Sequence, residues 1–119
     1  YTPMMVSVQC VQKTMDHCNH ACVQYVLKDR YQKEFRGVCS CEFCYNTIYN
    51  TLPTSLLKEK EKAEKLGVKA YRLSFTTETQ QETEKIVRAF VDVYLRGQKP
   101  DGQMQTEETT KGHFQRGVE

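Results

Sequence analysis

Six cysteines lie between Cys10 and Cys44, and none occurs in the seventy-five residues that follow. Thiols clustered in this way must be joined as disulfides, bound to a metal or buried as free thiols. Three disulfides are disfavoured by the tight clustering, the cysteine-free second half and the absence of a secretory leader. Six free thiols in so short a stretch are also disfavoured. The cysteine pattern therefore predicts a metal site.

Two close cysteine pairs define the candidate ligands. Cys18-x3-Cys22 and Cys41-x2-Cys44 are separated by eighteen residues, which is close to the spacing of a four-thiolate zinc site. Thiolates also hold iron-sulfur clusters, so both metals stay open, although the spacing alone favours zinc. A zinc site of this kind does not account for Cys10, which follows a predicted strand, or for Cys39.

Composition excludes several classes of function. Lys and Arg number 17 against 15 acidic residues, so the net charge of +2 does not indicate a nucleic-acid surface. No apolar run approaches the roughly 18 residues of a membrane span. We expect a soluble, cytoplasmic protein without a membrane partner. Only 39% of the residues are hydrophobic and none is Trp, so little material is available for a core.

Hydrophobic periodicity predicts strands and helices along the whole chain. In the first half we expect a strand over Met4–Gln9, a hairpin over 23–38 and a short strand near Thr47–Tyr49. In the second half we expect a helix over 53–67, a strand over Lys69–Phe75 and a helix from 77 to Gly97. Alternating strands and helices imply parallel strands joined by right-handed crossovers. The sequence thus predicts three parallel strands with both helices on one side.

Five ordered blocks resemble a known family. "MMVSVQC", "YVLKDRYQKEF", "CEFCYNTIYNTLP", "YRLSFTTE" and "TKGHFQRGVE" are similar in order and spacing to the carboxyl-terminal part of the main domain of the collagenase-like peptidase family U-thirty-two. The resemblance implies an α/β fold, a fragment of a (β/α) TIM-type barrel with a cysteine-rich β-hairpin insertion. Residues 1–50 would then be the cysteine-rich region, 51–97 the α/β units and 98–119 a loop and glycine-flanked tail.

The same resemblance implies a function and a cofactor. Some members are named as peptidases or collagenases, and others carry out oxygen-independent hydroxylation of RNA bases or a quinone precursor with a 4Fe-4S cluster. The cluster ligands that it implies are Cys10, Cys18, Cys22 and Cys41, with Cys44 and then Cys39 as alternatives for the fourth. The additional cysteines would equally suit zinc.

The histidines and the carboxyl-terminal segment offer further candidates. No H-E-x-x-H or G-x-S-x-G motif is present, so the residues themselves define no hydrolytic site. His17 and His20 flank Cys18 as potential ligands, although a surface-loop role is favoured for both. His113 and Arg116 lie in "KGHFQRG", where glycines permit close backbone approach and Arg116 suits a carboxylate or phosphate. We expect this segment to bind substrate.

Two functional hypotheses follow. The chain is either part of a peptidase-family enzyme acting on a peptide, RNA or small molecule, or a zinc-stabilised binding module without catalytic activity. In the first case its partner is the missing amino-terminal part of the parent protein. Self-association is the expected substitute for that partner, because "MMVSVQ" would leave an open sheet edge.

Overall fold

The computed structural model describes residues 1–101 and 108–114. The chain divides into two compact units, Tyr1–Thr51 and Leu52–Glu119, which are described separately below. Within the described residues, no helix combines the length and apolar character needed to cross a bilayer.

The first unit contains four strands: β1 (Pro3–Ser7), β2 (Val23–Lys28), β3 (Glu34–Ser40) and β4 (Tyr45–Tyr49). They form one antiparallel sheet in the order β1-β4-β3-β2. A single helical turn, α1 (Val11–Thr14), follows β1, and a 3-10 turn (Cys41–Phe43) joins β3 to β4.

The predicted hairpin over 23–38 is confirmed as β2 and β3. Their register runs from Val23 opposite Cys39 to Lys28 opposite Glu34. The turn forms because the Asp29 carboxylate accepts hydrogen bonds from the backbone N–H groups of Tyr31 (2.7 Å) and Lys33 (2.9 Å). Polar residues with side-chain acceptors are favoured in turns for this reason. The turn also fixes the register of β2 on β3, and that register sets the position of Cys39.

Gly37 is required where β2 and β3 pair. Tyr25 lies opposite Gly37, and its ring covers the glycine so closely that a Cβ atom there would overlap the ring. The absent side chain lets the Tyr25 hydroxyl reach across to the Asn46 side chain on β4, to which it donates a hydrogen bond of 3.2 Å. Glycine at this position therefore permits the contact between Tyr25 on β2 and the buried Asn46 side chain.

The predicted (β/α) TIM-type barrel fragment is wrong. β1 pairs with β4 antiparallel, whereas the prediction placed Met5–Gln9 and Thr47–Tyr49 in parallel. Residues 69–75 form no strand. The ring of Tyr71 instead packs edge-on against that of Tyr94 at 4.7 Å between centroids, and the segment is largely exposed. Alternating apolar residues in a short segment do not distinguish these two outcomes.

The second unit contains the two predicted helices. A 3-10 turn (Leu57–Glu59) leads into α2 (Lys60–Lys65), and α3 (Gln80–Phe90) continues as a π-helical segment (Val91–Leu95). A capping box starts α3: Thr79 accepts from the Glu82 N–H, and the Glu82 carboxylate accepts from the Thr79 N–H. The buried residues of its core are Leu57, Ala89 and Val93.

Glu59 is a nearly buried carboxylate in this unit, with 6% of its surface exposed. Thr110 forms backbone hydrogen bonds with Pro53 and Ser55, each 2.9 Å long, next to Lys111. The ammonium groups of Lys111 and Lys62 both pair with the Glu59 carboxylate, Lys62 at 2.8 Å. Hydrogen bonds from Lys111 and then Lys62 lower the pKa of Glu59 from 4.5 to about 2.

Glu59 should make the stability of the second unit depend on pH. Because its pKa is lower when folded, its contribution is fully present above pH 4.5 and is lost as pH falls toward about 2. We therefore expect the melting temperature of the wild-type protein, measured by circular dichroism, to fall as the pH is lowered through this range. Glu59→Gln should lower the melting temperature at neutral pH and flatten its dependence on pH. An unchanged pH profile in this variant would contradict the assignment, and Glu84→Gln, at an exposed pair with Arg88, is the matched control.

Candidate metal centre

Two turns meet at one end of the sheet in the first unit. Because β2 and β3 are antiparallel with Val23 opposite Cys39, the start of β2 lies beside the end of β3. The segment that enters β2 carries the first cysteine pair, and the 3-10 turn that leaves β3 carries the second. Strand pairing thus brings together cysteines that are about twenty residues apart in sequence.

Three side chains form the centre of this site. The ligand atoms of Cys18, His20 and Cys41 all lie within 4.8 Å of one another. His20 has a positive φ of 57°, an uncommon conformation for a residue other than glycine. His20 is exposed, which agrees with the favoured surface-loop role, and its imidazole also lies beside Cys18 and Cys41; its role as a ligand stays a prediction. The spacing Cys18-x-His20 was the available signal, but it is too common to identify a ligand.

Two further thiols lie against the backbone of Cys41. The Cys41 N–H donates to the Cys22 sulfur at 3.4 Å, and the Cys44 thiol lies 3.6 Å from the Cys41 carbonyl oxygen. Cys44 ends the 3-10 turn in the left-handed conformation, with φ 52° and ψ 38°. The turn therefore carries Cys41 next to the Cys18 and His20 side chains and holds the Cys44 thiol against the Cys41 backbone.

The thiols are close enough to perturb each other's ionisation. Burial raises the pKa of Cys41, and the neighbouring thiols raise it further. The contributing neighbours, in decreasing order, are Cys18, Cys44, Cys22 and Cys10. Neighbouring thiolates repel one another, so these thiols oppose each other's ionisation. A bound cation compensates the negative charges and stabilises the thiolate forms.

Cys10 and Cys39 form a separate pair beside this site. Their sulfur atoms are 3.4 Å apart, and the two residues are only 5% and 0% exposed. Hydrogen bonds from the backbone, chiefly at Lys13, lower the pKa of Cys10. Burial raises the pKa of Cys39 to about 11. All six cysteines lie within the described residues, and each is a free thiol.

The chemistry of the donors can be compared with the two metals considered. Tetrahedral zinc binds thiolate at about 2.3 Å and imidazole at about 2.0–2.1 Å, so its ligand atoms lie about 3.5–3.8 Å apart. Ligand atoms within 4.8 Å of one another fit such an ion after small side-chain rotations. The thiolates of a 4Fe-4S cluster bind different iron atoms and need a wider arrangement. Two sulfurs and one nitrogen at these distances could therefore hold a metal ion.

The two predicted substrate-binding residues belong to the carboxyl-terminal segment. His113 is exposed in a turn that follows Gly112, whose φ is +56°. Arg116 lies outside the described residues. Binding of substrate by either residue stays a prediction.

Comparison with known proteins assigns no family to the chain. No protein-family model, curated protein or solved structure matches it. The resemblance to collagenase-like peptidases therefore stays a prediction, and the class of site rests on the arrangement of the cysteines and His20.

Proposed function

We propose that the chain is a zinc-stabilised binding module. Cys18, His20 and Cys41 hold the ion, and either Cys22 or Cys44 completes a closed tetrahedral site. The single observation that carries this proposal is the convergence of three suitable ligand atoms within 4.8 Å. A closed site with four protein ligands stabilises structure, whereas a catalytic zinc site keeps a position open for water.

The interior of the first unit explains why a metal would be needed. Only Cys10, Gly37, Cys39 and Asn46 are buried there, and two of these are thiols. Large apolar side chains of β1, among them Met4 and Val6, are more than half exposed. A unit of this size with so little buried apolar surface requires an additional source of stability. Thiolate coordination supplies that stability directly, because metal binding is then coupled to folding.

The fourth ligand has two candidates, and the structure gives each one argument. The Cys22 sulfur already accepts a hydrogen bond from the Cys41 N–H, an interaction that favours a thiolate. Cys44 shares a 3-10 turn with Cys41 in the C-x2-C spacing of zinc knuckles. Cobalt-substituted Cys22→Ser and Cys44→Ser variants will separate them, since only loss of a ligand weakens the sulfur-to-cobalt absorption.

The test begins with the complete chain purified without chelators. We expect one zinc ion per chain by elemental analysis. Cobalt substitution should give the intense visible bands of a tetrahedral site together with thiolate-to-metal absorption in the near ultraviolet. A chain that refolds with the same circular dichroism in the presence and absence of metal, and that binds no cobalt, would overturn the proposal.

His20 provides a prediction with a closely matched control. His20→Asn removes the imidazole and keeps a residue that tolerates the left-handed conformation. Changes next to a metal ligand already cost about 10–100-fold in affinity, so we expect at least a tenfold loss of zinc affinity when a ligand itself is lost. His17→Asn alters the other histidine that flanks Cys18 and should bind zinc as wild type does. Competition with a chromophoric chelator measures the zinc affinity of both variants. Equal affinities for His20→Asn and His17→Asn would exclude His20 as a ligand.

A second candidate function is the iron-sulfur enzyme that the sequence resemblance implies. It is favoured by one observation: three of the four predicted cluster ligands lie together, because the Cys18 and Cys41 sulfurs are within 4.8 Å of each other and the Cys22 sulfur accepts a hydrogen bond from the Cys41 N–H. Purification under anaerobic conditions distinguishes the candidates. A cluster gives a brown protein with broad absorption and acid-labile sulfide, whereas zinc gives a colourless protein.

A further inference from the structure

We propose that Cys10 and Cys39 form a redox site, separate from the metal ligands, that hydrogen peroxide converts to a reversible disulfide. The inference depends on the geometry of this pair and does not require the proposed zinc site. It assigns a function to two of the three cysteines that the proposed zinc site leaves over.

The two sulfur atoms are already in contact inside the first unit. They lie 3.4 Å apart, although the residues are 29 positions apart in sequence. Cys39 is held in β3 by pairing with β2 and β4, and Cys10 lies immediately before α1. A disulfide requires the sulfurs to approach to about 2 Å, which side-chain rotation and a small shift of the single-turn helix can supply.

The surroundings of the two sulfurs differ, and this difference assigns their roles. Cys10 keeps 5% of its surface exposed, whereas Cys39 keeps none. Peroxide that arrives from solvent therefore meets the Cys10 sulfur first, and Cys10 is the nucleophile. Cys39 is fully buried beside it and acts as the resolving thiol.

The reaction proceeds in two balanced steps. The Cys10 thiolate attacks one oxygen of hydrogen peroxide, the O–O bond breaks, and the departing hydroxide takes a proton to become water. The sulfenic acid that remains on Cys10 is then attacked by the sulfur of Cys39. The S–S bond forms as the S–O bond breaks, and the leaving oxygen takes the Cys39 proton as a second water. Two thiols are oxidised by one peroxide, and a dithiol reductant reverses the change.

Peptide mapping of the complete, metal-loaded chain tests the proposal. The protein is treated with one equivalent of hydrogen peroxide, its remaining thiols are alkylated, and trypsin is added. We expect a disulfide between peptide 1–13, in which Cys10 is the only cysteine, and peptide 37–58, with fragmentation locating the bond at Cys39. The linkage should disappear after treatment with dithiothreitol. Zinc measured in the same samples should be retained.

A variant gives the second measurement. In Cys39→Ala, Cys10 should stop at the sulfenic acid and be trapped by dimedone, whereas wild type should give little adduct. Three results would overturn the proposal: a link from Cys10 to Cys41 or Cys44, oxidation of other thiols while Cys10 stays reduced, or an unchanged link between the two peptides in Cys39→Ala. If that variant does not fold, the location of the bond in wild type decides alone. If the chain does not retain zinc before peroxide is added, that result would count against the proposed function. The test for a disulfide between Cys10 and Cys39 would still apply.

Discussion

Cys41→Ser is expected to abolish tight zinc binding and to unfold the first unit. Cys41 is the residue on which the site converges: it belongs to the group with Cys18 and His20, and its backbone contacts the other two candidate thiols. Serine keeps the size of the side chain but is a poor zinc ligand at neutral pH. Structural zinc contributes on the order of 10 kcal/mol of apparent binding energy in small domains, so its loss exceeds the stability of a unit with only four buried residues.

Isotope-edited NMR of the complete chain measures this effect. Resonances of residues 1–51 should collapse toward random-coil positions in Cys41→Ser, and a chelator should do the same to wild type. Glu42→Gln changes an exposed residue of the same 3-10 turn and should retain both zinc and the dispersed spectrum. A dispersed spectrum for Cys41→Ser, with affinity for zinc within threefold of wild type, would show that the thiol is not a ligand.

Asn46→Ala is expected to destabilise the first unit by about 2–4 kcal/mol even when metal is bound. Asn46 is fully buried on β4 and connects two distant parts of the sheet. Its amide nitrogen donates to the Gln9 carbonyl at 2.8 Å, and its oxygen accepts from the Tyr25 hydroxyl at 3.2 Å. Alanine removes both hydrogen bonds and opens a small cavity at a fully buried position.

Urea unfolding of zinc-loaded protein measures the loss of stability, with Thr47→Ala on the same strand as the control. Tyr25→Phe removes one of the two hydrogen bonds and should cost about 0.5–1.5 kcal/mol. Because Tyr25 and Asn46 share that bond, the double variant should lose less stability than the sum of the single variants. Additive losses, or a change below about 0.5 kcal/mol in Asn46→Ala, would contradict the role of Asn46 as the central polar contact.

The hairpin and the two helices could be predicted because their signals are local. Alternation over 23–38 and the turn formed by Asp29 are properties of adjacent residues, as is the capping box of Thr79 and Glu82. The parallel sheet was wrong because it depended on pairing between distant segments. The segment 69–75 has the composition of a strand, but Tyr71 packs against Tyr94 and the backbone pairs with no strand.

For the candidate site, the sequence by itself determined that a cluster of thiols would form in the first fifty residues. It did so because six cysteines on short segments cannot lie far apart. Only the tertiary structure decided which cysteines lie at the candidate metal site and which form the separate pair of Cys10 and Cys39. The register of β2 on β3 places Cys39 inward against Cys10, and a left-handed backbone at His20 turns a loop histidine toward Cys18 and Cys41. Register and backbone handedness depend on contacts across the sheet, so the spacing of residues along the chain does not reveal them.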